Sequence, residues 1–97
     1  MSAGTAGQTV VDTSGVFIYN DAVDGGCSEF TVTVLSGSAQ DALVNVGGIH
    51  KDGEFFRVIK GQTIVFKSHS IGIRHVFAKG NGGNADIYHG VTGRDCY

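Results

Sequence analysis

Apolar and polar residues alternate one for one along much of this chain. No window sustains the i, i+3, i+4, i+7 spacing of a full amphipathic helix. A period of two confines the chain to strands, because successive side chains of an extended backbone point to opposite faces. The clearest run is "EFTVTVL", residues 29–35, where Phe30, Val32 and Val34 share one face and Thr31 and Thr33 the other. β-Branched Val and Thr suit such a half-buried pleated surface. "QTIVFKS" sets Ile64 and Phe66 against Thr63, Val65 and Lys67. "IGIRHVFA" places Ile71, Ile73 and Phe77 on one face, with His75 in the same register. "NADIYHGV" groups Ala85, Ile87 and Val91, with His89 among them and Tyr88 facing the other way. "GVFIYN" and "DALVNV" are short apolar runs, and the first is expected to be buried on both faces or central in its sheet.

Turn-forming clusters separate these runs at 20–26, 36–41, 47–54 and 59–62. Short strands divided by turns, with no room for crossover helices, predict an all-β fold. It should be a single antiparallel β-sandwich, or flattened barrel, of seven strands, or eight if "TVV" near residue 10 pairs. "KGNGGNAD", residues 79–86, invites comparison with a phosphate-binding glycine loop, which follows a strand and opens a helix. No GK[ST] is present and the residues that follow alternate as a strand. The segment is therefore read as a hairpin turn, for which Gly and Asn supply positive φ. Residues 1–14 are small and polar and bury too little apolar area to offset their own ordering entropy. Left free they are expected to be a flexible arm, and if ordered to be held by a neighbouring subunit, outside a sandwich domain of residues 15–97.

The 97 residues make one domain with a net charge of −2. Seven Lys and Arg are scattered singly between Lys51 and Arg94, without the basic face that a nucleic-acid partner requires. No apolar run approaches the length of a membrane span, and the first residues lack the basic and apolar regions of a signal peptide, so cytoplasmic synthesis and assembly are expected. Charged residues make up 16%, against about 25% in an ordinary soluble domain, which fits a surface partly covered by a partner.

Candidate chemistry is sparse. Cys27 and Cys96 form a reduced pair in the cytosol, or a bridge if the protein meets an oxidising medium. His69 and His75 face the same way on a straight strand but about 20 Å apart, so they share a metal only if the chain folds back between them. His50 sits in a loop, and His89 reads as a core histidine with one backbone hydrogen bond. Asp52 and Glu54 flank Gly53 as turn residues and offer too few oxygens for a calcium loop. No G-x-S-x-G elbow occurs, and paired carboxylates without a deep cleft do not suggest a glycosidase. The expectation is no enzymatic activity, no metal and no cofactor. A sugar site would need an exposed ring; there is no Trp, and of Tyr19, Tyr88 and Tyr97 the candidate is Tyr88.

Residues 43–66, "LVNVGGIHKDGEFFRVIKGQTIVF", and 72–91, "GIRHVFAKGNGGNADIYHGV", have a cadence of their own. It resembles that of small tailed-bacteriophage virion proteins, over about half the chain. The resemblance implies a β-rich, non-enzymatic protein present in many copies on the virion, assembled in the host cytoplasm. The roles implied are capsid decoration (cement) or head–tail accessory protein. Its partner would be the major capsid protein or another virion protein. A homo-oligomer, dimer or trimer, suits an icosahedral lattice. The alternative is a carbohydrate or host-surface binding module. Ile49, His50, Phe55 and Phe56, in a Gly-bounded loop, are the candidate partner-binding residues. Two adjacent aromatics in extended chain cannot both face the core. Tyr88 and the terminal Tyr97 complete the set.

Overall fold

A computed structural model of the chain describes residues 6–21, 27–68 and 72–93. These residues form eight strands: β1 (Ala6–Val11), β2 (Val16–Asn20), β3 (Glu29–Val34), β4 (Ala42–Gly47), β5 (Phe56–Val58), β6 (Thr63–Lys67), β7 (His75–Gly80) and β8 (Ala85–Gly93). They make two four-stranded sheets, ordered β1-β8-β3-β6 and β2-β7-β4-β5, and every pairing is antiparallel. Only β4 and β5 are both consecutive and hydrogen-bonded to each other. Every other connection carries the chain from one sheet to the opposite one. This is the strand order of an eight-stranded jelly roll, a β-sandwich built from two Greek keys.

The core lies between the sheets. From the first come Phe30, Val32, Val34 and Ile87, and from the second Tyr19, Val44, Val46, Val58, Val76 and Ala78. The Tyr19 ring tilts against Phe30, with centroids 5.4 Å apart. Burying each of these larger side chains stabilises the fold by roughly 1.5–3 kcal/mol relative to exposure. The alternation expected for β3, β6 and β8 is present: Phe30, Val32 and Val34 are buried, Phe66 is buried with Ile64 partly so, and Ala85, Ile87 and His89 point inward while Tyr88 points out. Asp41 ties the start of β4 to the β5–β6 turn. Its Oδ2 accepts from Arg57 Nε and Nη2 at 2.9 and 2.7 Å, and its Oδ1 from the Lys60 backbone N–H at 3.0 Å. The Lys60 amide first, then Arg57, holds that carboxyl below its ordinary pKa.

Four expectations are corrected. The glycine segment after β7 is a turn but not a hairpin, because β7 and β8 lie in opposite sheets. Glycine serves the crossing as well as it would a hairpin: Gly82 has φ +82°, and a Cβ on Gly80 would run into the Gly83 carbonyl oxygen. Residues 6–11 do not belong to a flexible arm. They pair in register with β8 and bury Val11, so the ladder and the core together offset their ordering entropy. β2 is neither central nor buried on both faces. It is an edge strand with Val16 and Phe17 exposed, and a bulge between Phe17 and Tyr19 turns the adjacent Ile18 and Tyr19 into the core. Finally, Ile73 does not share a face with Phe77. β7 begins at His75; Ile73 lies before it, outside the strand, where its N–H donates to the Cys27 carbonyl at 2.8 Å, and it is buried while His75 and Phe77 face outward. Ile71 and His69 lie outside the described residues.

Candidate partner-binding surface

The segment "VNVGGIH" builds the β4–β5 loop residue by residue. Val44 and Val46 point into the core, so Asn45 points to the outer face of the second sheet. There it is covered by its own loop. Its Nδ2 donates to the Lys51 and Glu54 carbonyls at 2.8 and 2.7 Å, and its Oδ1 accepts from His75 Nε2 at 3.1 Å. Two carbonyls can only accept, so the amide nitrogen must face them and the oxygen must face His75. Gly47 leaves room for the His75 imidazole, which a Cβ at that position would strike. Gly48 has φ +106° and sits against the Gly72 carbonyl oxygen. The chain then doubles back, with the Val46 N–H donating to His50 Nδ1 at 3.0 Å and the His50 N–H to the Val46 carbonyl at 2.7 Å. His50 Nδ1 is thus the nitrogen without a proton.

This loop delivers Phe55 and Phe56 to opposite sides of the second sheet. Phe56 begins β5, pairs with Val44 and turns toward the space between the sheets. It stacks with His50 at 6.4 Å and meets the buried Phe66 edge-on at 6.0 Å, while remaining 41% exposed. With Ile49, equally exposed, it lines the mouth of the sandwich on the β5–β6 side. Phe55 lies instead on the outer face of the second sheet. Its ring is 6.4 Å from Phe77, and Lys79 Nζ sits 4.3 Å above it, a cation–π contact of about 0.5–1 kcal/mol at an exposed site.

The outer face of the second sheet continues this aromatic surface. Phe77 packs on Phe17 at 5.0 Å, and Phe17 meets the His75 ring at 5.4 Å. The rings lie over glycines: Phe77 covers Gly15, where an added Cβ would come within 2.5 Å of it, and His75 covers Gly47. Phe17 is 56% exposed, although it is a large aromatic residue. Phe17, Asn45, His75 and Phe77 are the residues that sequence reasoning missed. For His75 and Phe77 the signal, a glycine lying beneath the ring, is readable only once the pairing is known.

Of the expected residues, Ile49, His50, Phe55 and Phe56 share the β4–β5 loop, whereas Tyr88 lies elsewhere. It stands exposed on the outer face of the first sheet, between its register partners Gln8 and Thr33. That face is rich in threonine, with Thr33 and Thr63 hydroxyls 2.8 Å apart and Thr31 and Thr92 hydroxyls 3.0 Å apart. Tyr97 and Cys96 lie outside the described residues. Cys27 is buried, and its Sγ donates to the Glu29 carbonyl at 3.0 Å. His89 is a core histidine, as expected, but its hydrogen bond goes to a side chain: Nε2 is 2.9 Å from Thr9 Oγ1, and Nδ1 has no partner. Its ring stacks on Phe30 at 6.1 Å. Among the described residues no three His, Cys, Asp or Glu gather as a metal site, and no helix is long and apolar enough to cross a membrane. No protein-family model, curated protein or solved structure matches the chain.

Proposed function

We propose that this protein is a non-enzymatic structural protein of a tailed-bacteriophage virion, a capsid decoration (cement) protein that stabilises the head by bridging capsid subunits. The observation that carries the reading is the aromatic surface around the β4–β5 loop, where Phe17, Phe77 and Phe55 lead on one side and Ile49, His50 and Phe56 on the other. Exposed apolar residues gathered in this way mark an interaction site more often than scattered ones do. The β4–β5 loop, which presents Ile49, His50, Phe55 and Phe56, lies within the residues on which the resemblance to virion proteins rests. Such a surface acts by burial against a neighbour and needs no tuned titratable group. Repetition over a shell makes modest single contacts sufficient, because each adds to a multivalent whole. The partner is then the major capsid protein or another virion protein, and the place of action is the virion. Jelly rolls also serve as lectins, so the fold by itself does not choose between roles.

The test is co-sedimentation of the purified protein with assembled capsid shells, read as copies per shell. Saturation at a fixed, lattice-sized number is the expected result, and absence of binding would remove the decoration role.

A second reading, carbohydrate or host-surface binding, is favoured by the exposed Tyr88 ring flanked by Gln8 and Thr33. An apolar ring face bordered by amide and hydroxyl groups is what a sugar recognises. It predicts a glycan-array signal that Tyr88→Ala abolishes. An array blank for the unmodified protein excludes it.

A further inference from the structure

One polar atom in the core of the described residues has nothing to bond. His89 points inward from β8, 6% exposed, and its Nδ1 is the buried side-chain nitrogen left without a partner. Its Nε2 lies 2.9 Å from Thr9 Oγ1 of β1. A neutral imidazole carries one N–H. That proton belongs on Nε2, where Thr9 accepts it, because an N–H at Nδ1 would be a buried donor with no acceptor. Nδ1 then holds only a lone pair. A second proton has no such choice: it puts an N–H at Nδ1 and a charge in the core.

The surroundings offer that charge no counterion. Gly7 and Thr9 meet the ring from β1, and from β3 come its register partner Val32 and the stacked Phe30, with centroids 6.1 Å apart. Along β8 itself Ile87 and Val91 flank it, and β7 turns Val76 and Ala78 into the core. The other buried titratable groups among the described residues are Tyr19, Cys27 and Asp41. The first two are neutral when protonated, and Asp41 is committed to Arg57 and the Lys60 amide. Asp86 and Tyr88 of β8, Glu29 of β3, and His75 and Lys79 of β7 lie on the outer faces, with Glu29 3.8 Å from Lys67. Burial accordingly holds the imidazole below its ordinary pKa of 6.5.

β1 covers this ring, and it is held lightly. It lies at the edge of the first sheet and pairs with β8 alone. A Cβ built on Gly7 would stand 3.8 Å from Cε1 and 4.0 Å from Nε2, so the strand passes close over the imidazole. Over residues 7–11 Val11 is the one fully buried side chain. Segments with so little apolar burial open at lower free energy than the core. The opening has a limit at Asp12. Its carbonyl accepts from the Gly80 N–H at 2.7 Å, and its Oδ1 from the Ser14 and Gly15 N–H groups at 2.9 and 3.1 Å, so the chain beyond β1 stays tied to β7. Lifting β1 admits water to the imidazole, where both nitrogens find partners and the ordinary pKa returns.

We propose that protonation of His89 releases β1 from β8, making residues 6–11 an acid-opened latch hinged at Asp12 while the strands behind it stay folded. The direction follows from the two states of the ring. With β1 closed the second proton binds weakly, and with β1 open it binds at its ordinary strength, so acid favours the open form. The latch is fully closed above the ordinary value of 6.5 and weakens as pH falls toward the lowered value of the closed state. The inference concerns the fold's own response to acid and rests on neither functional reading.

Hydrogen exchange of the full-length chain tests this, followed amide by amide at about pH 7.5 and about pH 5.5 and corrected for the intrinsic chemical rate. Urea well below the unfolding transition separates local from global opening. A latch exposes little surface, so its opening barely depends on urea, whereas global unfolding depends on it steeply. The expected result is urea-insensitive exchange in residues 7–11, with an opening constant that rises roughly three- to tenfold on acidification. The ceiling is about tenfold per pH unit between the two pKa values. In His89→Gln, which does not titrate, the rise should vanish. β1 amides equally protected at both pH values, or exchanging only with the urea dependence of β4 and β7, would overturn the proposal. So would a rise that survives in His89→Gln. The first two outcomes are read on the unmodified chain and decide the matter even where the Gln variant fails to fold.

Discussion

Replacing Asn45 by Asp changes one nitrogen to one oxygen and should nevertheless loosen the whole β4–β5 loop. The Asn45 amide donates to the Lys51 and Glu54 carbonyls at 2.8 and 2.7 Å and accepts from His75. Asn45→Asp keeps the acceptor for His75 but sets a carboxylate against two carbonyl oxygens. Two donated hydrogen bonds, each contributing about 0.5–1.5 kcal/mol, are lost, and the repulsion adds to that loss. Lys51 and Glu54 lie in an exposed segment, so their carbonyls can turn to water and the full penalty of buried unsatisfied groups does not apply. The expected cost is about 2–3 kcal/mol, and for a domain of this size each kcal/mol lowers Tm by about 4–8 °C. Asn45→Ala should cost slightly less, because it removes the bonds without the repulsion. Urea unfolding at unchanged m-value measures both, and hydrogen exchange over residues 50–55 should accelerate in each variant. A loss below about 0.5 kcal/mol for Asn45→Asp, smaller than one ordinary hydrogen bond, would refute the idea that this amide holds the loop.

Burial lowers the pKa of His89 from its ordinary 6.5, so the unfolded chain takes up a proton before the folded one does. Stability from this residue is complete above that value and declines as pH falls through it toward the lowered folded value. The urea midpoint should drop from about pH 8 to about pH 5, and His89→Gln, which cannot titrate, should flatten that slope; an unchanged slope would assign the acid sensitivity to other groups. Gly48→Ala should destabilise the fold by at least about 2 kcal/mol, since it combines positive φ with a clash against the Gly72 carbonyl, whereas Gly53→Ala, at φ +80° in open space, should cost only about 1 kcal/mol. Equal losses in thermal melts would mean that crowding at Gly48 is unimportant. Phe17→Ala should cost less than about 1 kcal/mol in folding and yet reduce shell binding several-fold, because the ring is largely exposed. A variant that binds shells as the unmodified protein does would take the outer face of the second sheet out of the interface.

Alternation told which residues of β3, β6 and β8 share a face, because that is a property of one extended segment. It could not tell which strands lie side by side. Whether "GNGGN" closes a hairpin or crosses between sheets depends on long-range packing, and the same positive-φ residues serve both. The adjacent buried pair Ile18 and Tyr19 breaks the period through a bulge, which an apolar run such as "GVFIYN" conceals. The loop aromatics Phe55 and Phe56 were legible as a divergent pair from their adjacency. The aromatics on the outer face were not, because Phe17 and Phe77 look like core residues until Gly15 and Asn45 are placed beside Phe77. Asn45 was visible in "VNV" only as an interruption. Its partners are carbonyls six and nine residues later, and no side-chain pattern marks a carbonyl acceptor.

The antiparallel pairing of β1 with β8 also decides how the domain bears mechanical load. Ala6 pairs with Gly90, so the two strands bring the ends of the described chain out at the same side of the first sheet. A pull applied across the register partners Ala6 and Gly90 acts at right angles to the strands and along their hydrogen bonds. The bonds therefore break in succession, as a zipper opens, rather than together in shear. Tethered through Ala6 and Gly90, the domain yields at low force. Gripped through the β4–β5 loop and β2, it carries tension through the second sheet and leaves the β1–β8 seam unloaded.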